Sequence, residues 1–505
     1  HDNSNGFYYN GATFDGIVKR PRDQFLLAGT LYTMLGGNSH SFKAGFDWQG
    51  LESTASFAYP NNRVYEANGF DPVTRTIDHD IRNDFDPPAP STSQGDVYAF
   101  FLRDKFEVGK RLFFEVGLRY EKQEGDSDVG NTTVDTDSIS PRLAGSYDVA
   151  GNGKSIISAT YGRFSQYLIQ GFSDSFAQVP QQGNYDVYEW DGTQYVFSGR
   201  VETGGSSLTP NTNLDASYLD EFTIAYSQQI GNTIGVGIRG IYRTWNDLID
   251  DVVSFDSDGL LIREYTNYGP AERDHTALQL TFEKRFSNNW YAQANYTWSE
   301  TEGNHFANTA SQLGDYLQSD CRTTIDPSIG NNGVIPCREA VEGPNATGLA
   351  AYDRPHNFKL FGAYVLPIGS LVDLTFGTNF DYISGINYRK NRAVTALNPV
   401  TGAAVANVTY NYEPLGSDEL DAYFSWDLSL EAVFNVWKSV QLGVKGEVFN
   451  VTDEQEKITV NNTQWCDAQP GSASCQTARN NYGTATARGS FQAPRNYRLT
   501  ALVRF

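Results

Sequence analysis

The chain is poor in positive charge and has no long apolar run. Its 38 Lys and Arg residues stand against 60 Asp and Glu residues, a formal net charge of −22. This balance argues against nucleic acid as a partner, because phosphate binding needs a basic surface. No apolar stretch reaches the roughly 18 residues of a membrane-spanning helix. Transmembrane helices are therefore excluded, and the acidic residues are expected in solvated loops.

Cysteine is scarce, and the four cysteines form two local pairs, Cys321 with Cys337 and Cys466 with Cys475. Both pairs lie in stretches rich in Gly, Asn, Ser and Thr. In an oxidising compartment this spacing predicts two loop-closing disulfides. Zinc binding is the alternative, but neither a CxxC motif nor a nearby pair of histidines supports it.

No cofactor and no catalytic group are expected. The six histidines are scattered, HExxH is absent, and no Ser, His and Asp grouping stands out. A GxGxxG match at 235–240 lies inside an alternating strand pattern rather than at a strand-to-helix turn, so a dinucleotide site is not indicated. Calcium binding by the acidic stretches 78–80 and 84–86 is a weak alternative to solvated loops. We therefore expect a protein that is not an enzyme.

Glycine and aromatic residues are abundant instead. The 505 residues include 47 Gly, 30 Tyr and 31 Phe, although only 39% of the chain is apolar. This combination is typical of a barrel whose strands are apolar on one side only. Since a membrane tolerates no open sheet edge in contact with lipid, a closed barrel is the remaining way to span it.

The final residues, 497–505, alternate between apolar and charged side chains. Such alternation with period two predicts a strand with one apolar face. A terminal aromatic closing the strand is typical of outer-membrane β-barrels, so we expect a barrel-assembly terminal strand in the bacterial outer membrane. The expected partners are outer-membrane lipid and the barrel-assembly machinery. The residues expected on the apolar face are Tyr497, Leu499, Val503 and Phe505.

The same alternation recurs along the chain and predicts an all-β fold, a transmembrane antiparallel up-and-down β-barrel. We count about fifteen strands, or sixteen if residues 7–19 supply one more upward strand. The predicted segments lie near 24–35, 40–51, 95–107, 111–122, 140–149, 154–165, 218–229, 234–245, 275–286, 290–302, 354–366, 371–385, 423–435, 440–451 and 493–505.

Short and long connections alternate between these segments. This is the pattern of periplasmic turns and extracellular loops in outer-membrane barrels. Loops of this length are otherwise rare unless they are functional. The long connections lie near 52–94, 123–139, 166–217, 246–273, 303–353, 386–422 and 452–492.

The polar positions of the alternating segments are predicted to face a barrel lumen. The prediction concerns the side of the strand on which each residue lies and does not assign a substrate site. Charged residues recur at these positions on many successive strands. The residues so predicted are Glu115, Arg119, Arg239, Arg243, Gln279, Glu283, Asp427, Glu431, Lys445 and Glu447.

The order of these segments resembles the barrel half of TonB-dependent outer-membrane receptors, particularly the Oar-like group. The stretches that carry the resemblance include VYAFFLRDKFEVGKRLFFEVGLRYE at 97–121, SPRLAGSYDVAGNGKSIISATYGRF at 140–164, YDRPHNFKLFGAYVLP at 352–367 and RNYRLTALVRF at 495–505. The resemblance implies a 22-stranded barrel, an N-terminal plug, a TonB box and energy supplied through the TonB complex. Residues 1–505 show a barrel portion but no plug-like region and no TonB box. We therefore expect either the C-terminal part of a longer receptor or a reduced relative.

Three functions remain open on the sequence. The first is a TonB-dependent receptor that imports or binds an unidentified ligand, and the second is a passive porin of about sixteen strands. The third is a surface adhesion or structural barrel, for which the aromatic loop residues Tyr185, Tyr188, Trp190 and Tyr195 are equally suitable. A surface lipoprotein or a second chain is a further possible partner.

Overall fold

A computed structural model describes most of the chain. The described residues are 15–66, 70–71, 76–77, 81–168, 170–177, 184–202, 208–255, 257, 261–306, 345–397, 404–411, 413–437, 440–461 and 481–504. The four cysteines, Phe505 and the acidic stretch 78–80 lie outside them. The two disulfides therefore stay predictions.

Strands dominate the described residues. Among the described residues, the helical segments with both ends defined are α1 (Gln170–Ser175) and two single 3-10 turns at Pro60–Asn62 and Arg488–Ser490. Across the described part of the chain, no helix has the length and apolar character needed to cross a membrane. The strands are β1 Asp15–Lys19, β2 Arg22–Leu35, β3 Asn38–Ala58, β4 Arg63–Glu66, β5 Phe70–Asp71, β6 Thr76–Ile77, β7 Ile81–Phe85, β8 Ser91–Val108, β9 Leu112–Asp126, β10 Thr132–Asp148, β11 Ser155–Ser165, β12 Tyr185–Trp190, β13 Tyr195–Val201, β14 Leu208–Thr209, β15 Tyr218–Ile230, β16 Ile234–Asn246, β17 Ile249–Phe255, β18 Leu261–Asn267, β19 Arg273–Ser287, β20 Trp290–Gly303, β21 Gly348–Leu349, β22 His356–Ile368, β23 Val372–Ile383, β24 Asn387–Tyr388, β25 Asn391–Leu397, β26 Ala404–Asn411, β27 Asp418–Glu419, β28 Tyr423–Trp437, β29 Val440–Phe449 and β30 Asn496–Arg504.

Fifteen of these strands, which we call the wall, form the main meander of a 17-stranded sheet to which β1 and β21 also belong. Each wall strand pairs antiparallel with the next one along the chain, so the topology is a simple up-and-down meander. The wall strands, in order, are β2, β3, β8, β9, β10, β11, β15, β16, β19, β20, β22, β23, β28, β29 and β30. Every predicted segment coincides with one of them, which confirms the antiparallel all-β prediction.

Residues 15–19 do not form the additional upward strand that the sequence suggested. Strand β1 pairs with the far end of β3, from Thr54 to Ala58, and so continues β2 in the same direction. The remainder of that predicted strand, residues 7–14, lies outside the described residues.

The predicted long loop at 123–139 is also wrong. Strands β9 and β10 stay paired from Leu112 and Tyr147 up to Asp126 and Thr132, which leaves a connection of residues 127–131. Polar residues occupy both faces of this upper part, so the hydrophobic alternation disappears although the backbone ladder continues.

Two of the short connections are tight turns built on left-handed backbone. Gly36 and Gly37 join β2 to β3 with φ of 60° and 82°, and Asn288 and Asn289 join β19 to β20 with φ of 51° and 66°. Positive φ at both central residues is the two-residue hairpin turn whose twist matches paired strands. Glycine and asparagine adopt this conformation with the least strain.

The two sides of the wall differ in chemistry. One side, the apolar face, carries large exposed hydrophobic residues such as Leu118, Ile224 and Leu430. The other side, the polar face, carries their sequence neighbours, such as Arg119, Thr223 and Glu431. The register keeps each set on one side across every wall pairing, as the period of two requires. Tyr497, Leu499 and Val503 lie on the apolar face of β30, and their role in barrel assembly stays a prediction.

Gly45 of β3 supplies a test of the packing on the polar face. A Cβ at this position would collide with the ring of Phe101 on β8 and approach the backbone oxygen of Leu27 to 2.8 Å. Gly29 of β2 has nothing within 4 Å of the corresponding point. We expect Gly45→Val to lower the free energy of unfolding by about 1–3 kcal/mol, because overpacking forces side chains and backbone to move.

The control is Gly29→Val on the apolar face of β2, which should leave the unfolding free energy nearly unchanged. Denaturant titration of both variants in detergent micelles measures the difference. Equal destabilisation by the two substitutions would contradict the packing described for Gly45.

Candidate functional site

The ten residues predicted to face the lumen all lie on the polar face. The register pairs Arg239 with Gln279 across β16 and β19, and Glu431 with Lys445 across β28 and β29. Following the pairings from strand to strand places Glu115, Arg119, Arg243, Glu283, Asp427 and Glu447 on the same side. The structure thus gathers these side chains on one surface, and their orientation toward a lumen stays a prediction.

Ion pairs between neighbouring strands connect many charges of the polar face. Glu115 lies 2.9 Å from Lys105 Nζ and 3.2 Å from Arg103 Nη1. At the other end of the wall, Glu447 contacts Lys445 of its own strand, β29, at 2.8 Å and Arg498 of β30 at 2.5 Å. Arg498 belongs to β30, so this pair ties the last wall strand to β29. Cross-strand pairs of opposite charge stabilise a sheet in this way.

A cap covers part of the polar face near β3, β8, β9 and β10. We define the cap as residues 166–177, which contain α1, together with residues 210–217 and the hairpin β17–β18. Phe172 of α1 and Phe176, which directly follows α1, are fully buried and pack with Tyr265 of β18, with ring centroids 5.0 and 5.6 Å from that ring. These segments share one hydrophobic cluster, which comprises Val134, Leu168, Phe172, Phe176, Leu214, Ile249 and Tyr265.

Hydrogen bonds fix α1 to the wall. The carboxylate of Asp174 accepts from Ser53 Oγ of β3 at 2.8 Å and from Ser93 Oγ of β8, and Ser173 exchanges a hydrogen bond with Thr133 at 2.8 Å. Ser53 and Ser93 are both buried. Since a carboxylate needs such donors when it leaves water, these serines specify where the helix docks.

The segment before α1 is anchored by residues of β9. Gln123 accepts a hydrogen bond from Leu168 N at 2.9 Å, and Arg119 donates to Glu121 at 2.7 Å and to the hydroxyl of Tyr167 at 3.2 Å. Tyr167 also donates to Glu121. Arg119, predicted as a lumen residue, therefore contacts the cap as well as the wall.

A polar row crosses four adjacent strands of the wall. Glu221 on β15, Arg243 on β16, His275 on β19 and Thr301 on β20 are directly paired in register. Arg243 Nε lies 2.6 Å from Glu221 Oε2, and His275 Nδ1 lies 2.9 Å from Thr301 Oγ1. The row ends at Asp353, whose carboxylate accepts from Thr301 N at 3.0 Å. Of these five residues, only Arg243 was predicted.

At the upper end of β19, Arg273 is buried against an aromatic ring. Its guanidinium lies 4.2 Å from the ring centroid of Trp245 and donates to the carbonyl oxygen of Phe306 at 3.3 Å. Burial, together with the nearby Arg273 charge, lowers the pKa of His305 to about 4. His305 is therefore neutral at physiological pH, and the local positive charge is that of Arg273.

The aromatic residues proposed as a loop surface assemble on a separate four-stranded sheet of β4, β7, β12 and β13. Arg82 lies 4.1 Å from the ring centroid of Tyr188 and 5.1 Å from that of Tyr195. Trp190 packs edge-on against Tyr195 at 5.1 Å. This arrangement joins the aromatic residues of these connections in one sheet with ring and cation–π contacts, rather than in independent loops.

Metal ligands do not cluster among the described residues, where no three His, Cys, Asp or Glu side chains come together suitably. Of the two acidic stretches considered for calcium, 84–86 supplies partners for arginines. Asp84 lies 2.5 Å from Arg63 Nε, and Asp86 lies 2.5 Å from Arg200 Nη2. The other stretch, 78–80, lies outside the described residues.

Asp353 is a buried carboxyl group outside the wall strands. Only 3% of the residue is exposed, and its Oδ2 atom has no hydrogen-bond partner among the described residues. Burial, with the charges of Glu300 and Glu419, raises the pKa of Asp353 to about 6. The neutral carboxyl therefore favours the folded turn, since desolvation penalises the charged form.

This shift predicts a pH dependence for the turn at 350–353. The folded-state pKa of about 6 exceeds the ordinary value of 3.8. The neutral carboxyl stabilises the folded turn fully at a pH below the ordinary pKa, and this stabilisation is lost as the pH rises through the folded-state pKa. The free energy involved is at most about 3 kcal/mol. We expect Asp353→Asn to remove this pH dependence. The measurement is amide hydrogen exchange of residues 345–355, corrected for the intrinsic pH dependence of the exchange reaction.

The control is Asp191→Asn in the β12–β13 turn. Hydrogen bonds from Gln194 and Thr193 lower the pKa of Asp191, so its contribution is lost as the pH falls rather than as it rises. If Asp353→Asn left the exchange of 345–355 as pH-dependent as before, the assignment to Asp353 would be wrong.

Known proteins share this architecture. Residues 1–451 match the family described as TonB dependent receptor-like, beta-barrel. The TonB-dependent transporter Oar of Myxococcus xanthus is 23% identical over 57% of this chain and 30% of its own length. The protein YddB of Escherichia coli is 21% identical over 73% of this chain and 41% of its own length. The aligned region thus spans less than half the length of either relative.

Solved structures show the same fold. The outer membrane transporter YddB from Escherichia coli aligns with a TM-score of 0.56 and 14% identity, covering 96% of this chain and 55% of that one. The ferric citrate transporter FecA aligns with a TM-score of 0.50 and 11% identity, covering 97% of this chain and 56% of that one. The predictions of a non-enzymatic protein and of outer-membrane location are confirmed by this family. The chain therefore belongs to the TonB-dependent receptor-like β-barrel family of the bacterial outer membrane.

Proposed function

We propose that the chain is the barrel portion of a TonB-dependent receptor that takes up a ligand from the cell surface. The observation that carries the proposal is the cap, which folds onto the polar face and shares a hydrophobic cluster with it. A receptor needs extracellular segments that cover its lumen, whereas a passive channel needs an open one. The ligand contacts the cap and the polar face beneath it.

Energy coupling belongs to a part of the polypeptide other than the barrel. We infer a plug and a TonB box N-terminal to the barrel, with the TonB complex as partner. The basis for this inference is the match to the TonB dependent receptor-like, beta-barrel family. The polar face then contacts the plug, and the paired charges of Glu115, Arg103 and Lys105 supply a preorganised surface for it.

Adhesion is the second candidate function, and the sheet of β4, β7, β12 and β13 favours it. Exposed Trp190 and Phe197 stand beside Arg82, and aromatic and arginine residues are enriched where proteins meet. Deleting 184–202 tests this candidate. Loss of adhesion with unchanged uptake would favour adhesion, and the reverse result would favour the receptor.

Conductance in planar bilayers distinguishes a receptor from a passive channel. We expect the purified natural polypeptide to carry no steady current, because cap and plug together obstruct the lumen. The double variant Ser53→Ala/Ser93→Ala removes both serine donors to Asp174 and should loosen α1. In a plugged receptor, this double variant should still conduct no steady current.

A porin would behave differently in the same measurement. The unmodified protein would show stable conductance steps, and loosening α1 would enlarge them. That result would overturn the receptor proposal. The variant Ser158→Ala, on the polar face of β11 away from α1, controls for the loss of a serine hydroxyl from the wall.

A further inference from the structure

The sheet of β4, β7, β12 and β13 has two faces of different chemistry. The register places five aromatic rings on one side, which we call the aromatic face, together with arginine and aspartate side chains. The aliphatic side chains of the same four strands lie on the opposite side. The rings of the aromatic face are Tyr65, Tyr188, Trp190, Tyr195 and Phe197, and the aliphatic residues opposite are Val64, Ile81, Val187, Val196 and Val201.

Two rings of the aromatic face are open to solvent. Trp190 is 42% exposed and Phe197 is 56% exposed. Each packs edge-on against a tyrosine, with 5.1 Å between the ring centroids of Trp190 and Tyr195 and 5.7 Å between those of Phe197 and Tyr188. Arg82 lies 4.1 Å from the ring centroid of Tyr188 and 5.1 Å from that of Tyr195. The two tyrosines and the arginine thus support both exposed rings.

Ion pairs make up the rest of the aromatic face. Arg63 Nε lies 2.5 Å from the carboxylate of Asp84, and Arg82 Nη2 lies 3.1 Å from the same carboxylate. Arg200 Nη1 lies 2.9 Å from Asp186, its partner in register across β12 and β13. Every arginine of these four strands therefore has a carboxylate beside it. Since the chain as a whole carries a formal net charge of −22, this face offers no attraction for an anionic ligand.

A neutral sugar has the chemistry that this face accommodates. The C–H groups of a sugar ring pack on an aromatic ring through dispersion and through the negative charge of the aromatic π face. Sugar hydroxyls both donate and accept hydrogen bonds, so they pair with arginine and with aspartate. We propose that the aromatic face binds a neutral glycan, with sugar rings packed on Trp190 and Phe197 and hydroxyls bonded to the neighbouring ion pairs.

A protein partner fits the same face less well. Aromatic and arginine residues are common in protein interfaces, but the centres of such interfaces are depleted of charge. Here the ion pairs of Arg82 and Arg200 lie beside the rings, so a dry protein interface would desolvate them at a cost. Sugar hydroxyls replace water around these charges instead. The inference rests on the extracellular position of this sheet, as the adhesion candidate does, and not on uptake.

The experiment measures binding of the purified natural polypeptide, in detergent, to immobilised polysaccharides by biolayer interferometry. The neutral probes are dextran, mannan and laminarin, and the anionic probe is alginate. We expect binding to at least one neutral probe and weaker binding to alginate. Trp190→Ala should raise the dissociation constant about fivefold through the lost ring contact, and Trp190→Phe should restore most of the binding. The matched control is Val196→Ala, an exposed residue on the opposite face of the same hairpin, which should change nothing.

Three results would overturn the proposal. Failure of all three neutral probes to bind would remove the ligand class, and tighter binding of alginate would mean that charge selects the ligand. Equal weakening by Trp190→Ala and Val196→Ala would mean that the exposed rings are not the site. Heat-dependent electrophoretic mobility confirms that each variant is folded, and Phe197→Ala is the second ring substitution if Trp190→Ala prevents assembly. Because the assay involves neither cells nor TonB, its failure would leave the receptor proposal standing.

Discussion

The backbone hydrogen-bond ladder of the wall is the constraint on which the rest of the structure depends. In hydrocarbon each unpaired N–H or C=O group costs several kcal/mol, so every strand in the membrane must be paired on both sides. Thirteen of the fifteen wall strands meet this demand, because each pairs with the wall strand before it and the wall strand after it, whereas β2 and β30 each have one wall partner among the described residues. Left-handed turns such as Gly36–Gly37 set the register of each hairpin.

Once the register is set, the chemistry of both faces follows. A shift by one residue would exchange the two faces, so charges such as Arg239 and Glu431 lie opposite the lipid-facing side only if every pairing is in phase. The polar row from Glu221 to Thr301 is a product of the same register. One face thus supplies a surface for the cap and the other a surface for the membrane.

Most of the wall could be predicted from the sequence, because period-two alternation is strong wherever one face meets lipid. The prediction of a long loop at 123–139 failed at the end of β9 beyond the alternating segment. There Lys122 and Glu124 replace apolar residues on the apolar face, and β9 continues without an alternating pattern. The cap could not be predicted either. Asp174 meets Ser53 across 121 residues, and α1 is too short to give a helical pattern.

Asp353 and His275 escaped prediction for a similar reason. Neither residue belongs to a recognisable motif. The pairing of β19 with β20 brings His275 to Thr301, and a separate hydrogen bond from Thr301 N reaches Asp353. Single acidic or histidine residues carry no distinguishing spacing, so no pattern in the sequence could have connected them.

The orientation of the two faces is the claim that the whole account requires, and site-directed spin labelling of β15 tests it most directly. Labels are placed one at a time at positions 222–226 in the purified natural polypeptide, reconstituted in vesicles, and their accessibility to molecular oxygen is measured. The account predicts high oxygen accessibility at Phe222, Ile224 and Tyr226, and low accessibility at Thr223 and Ala225. Accessibility without a period of two, or with the opposite phase, would contradict it.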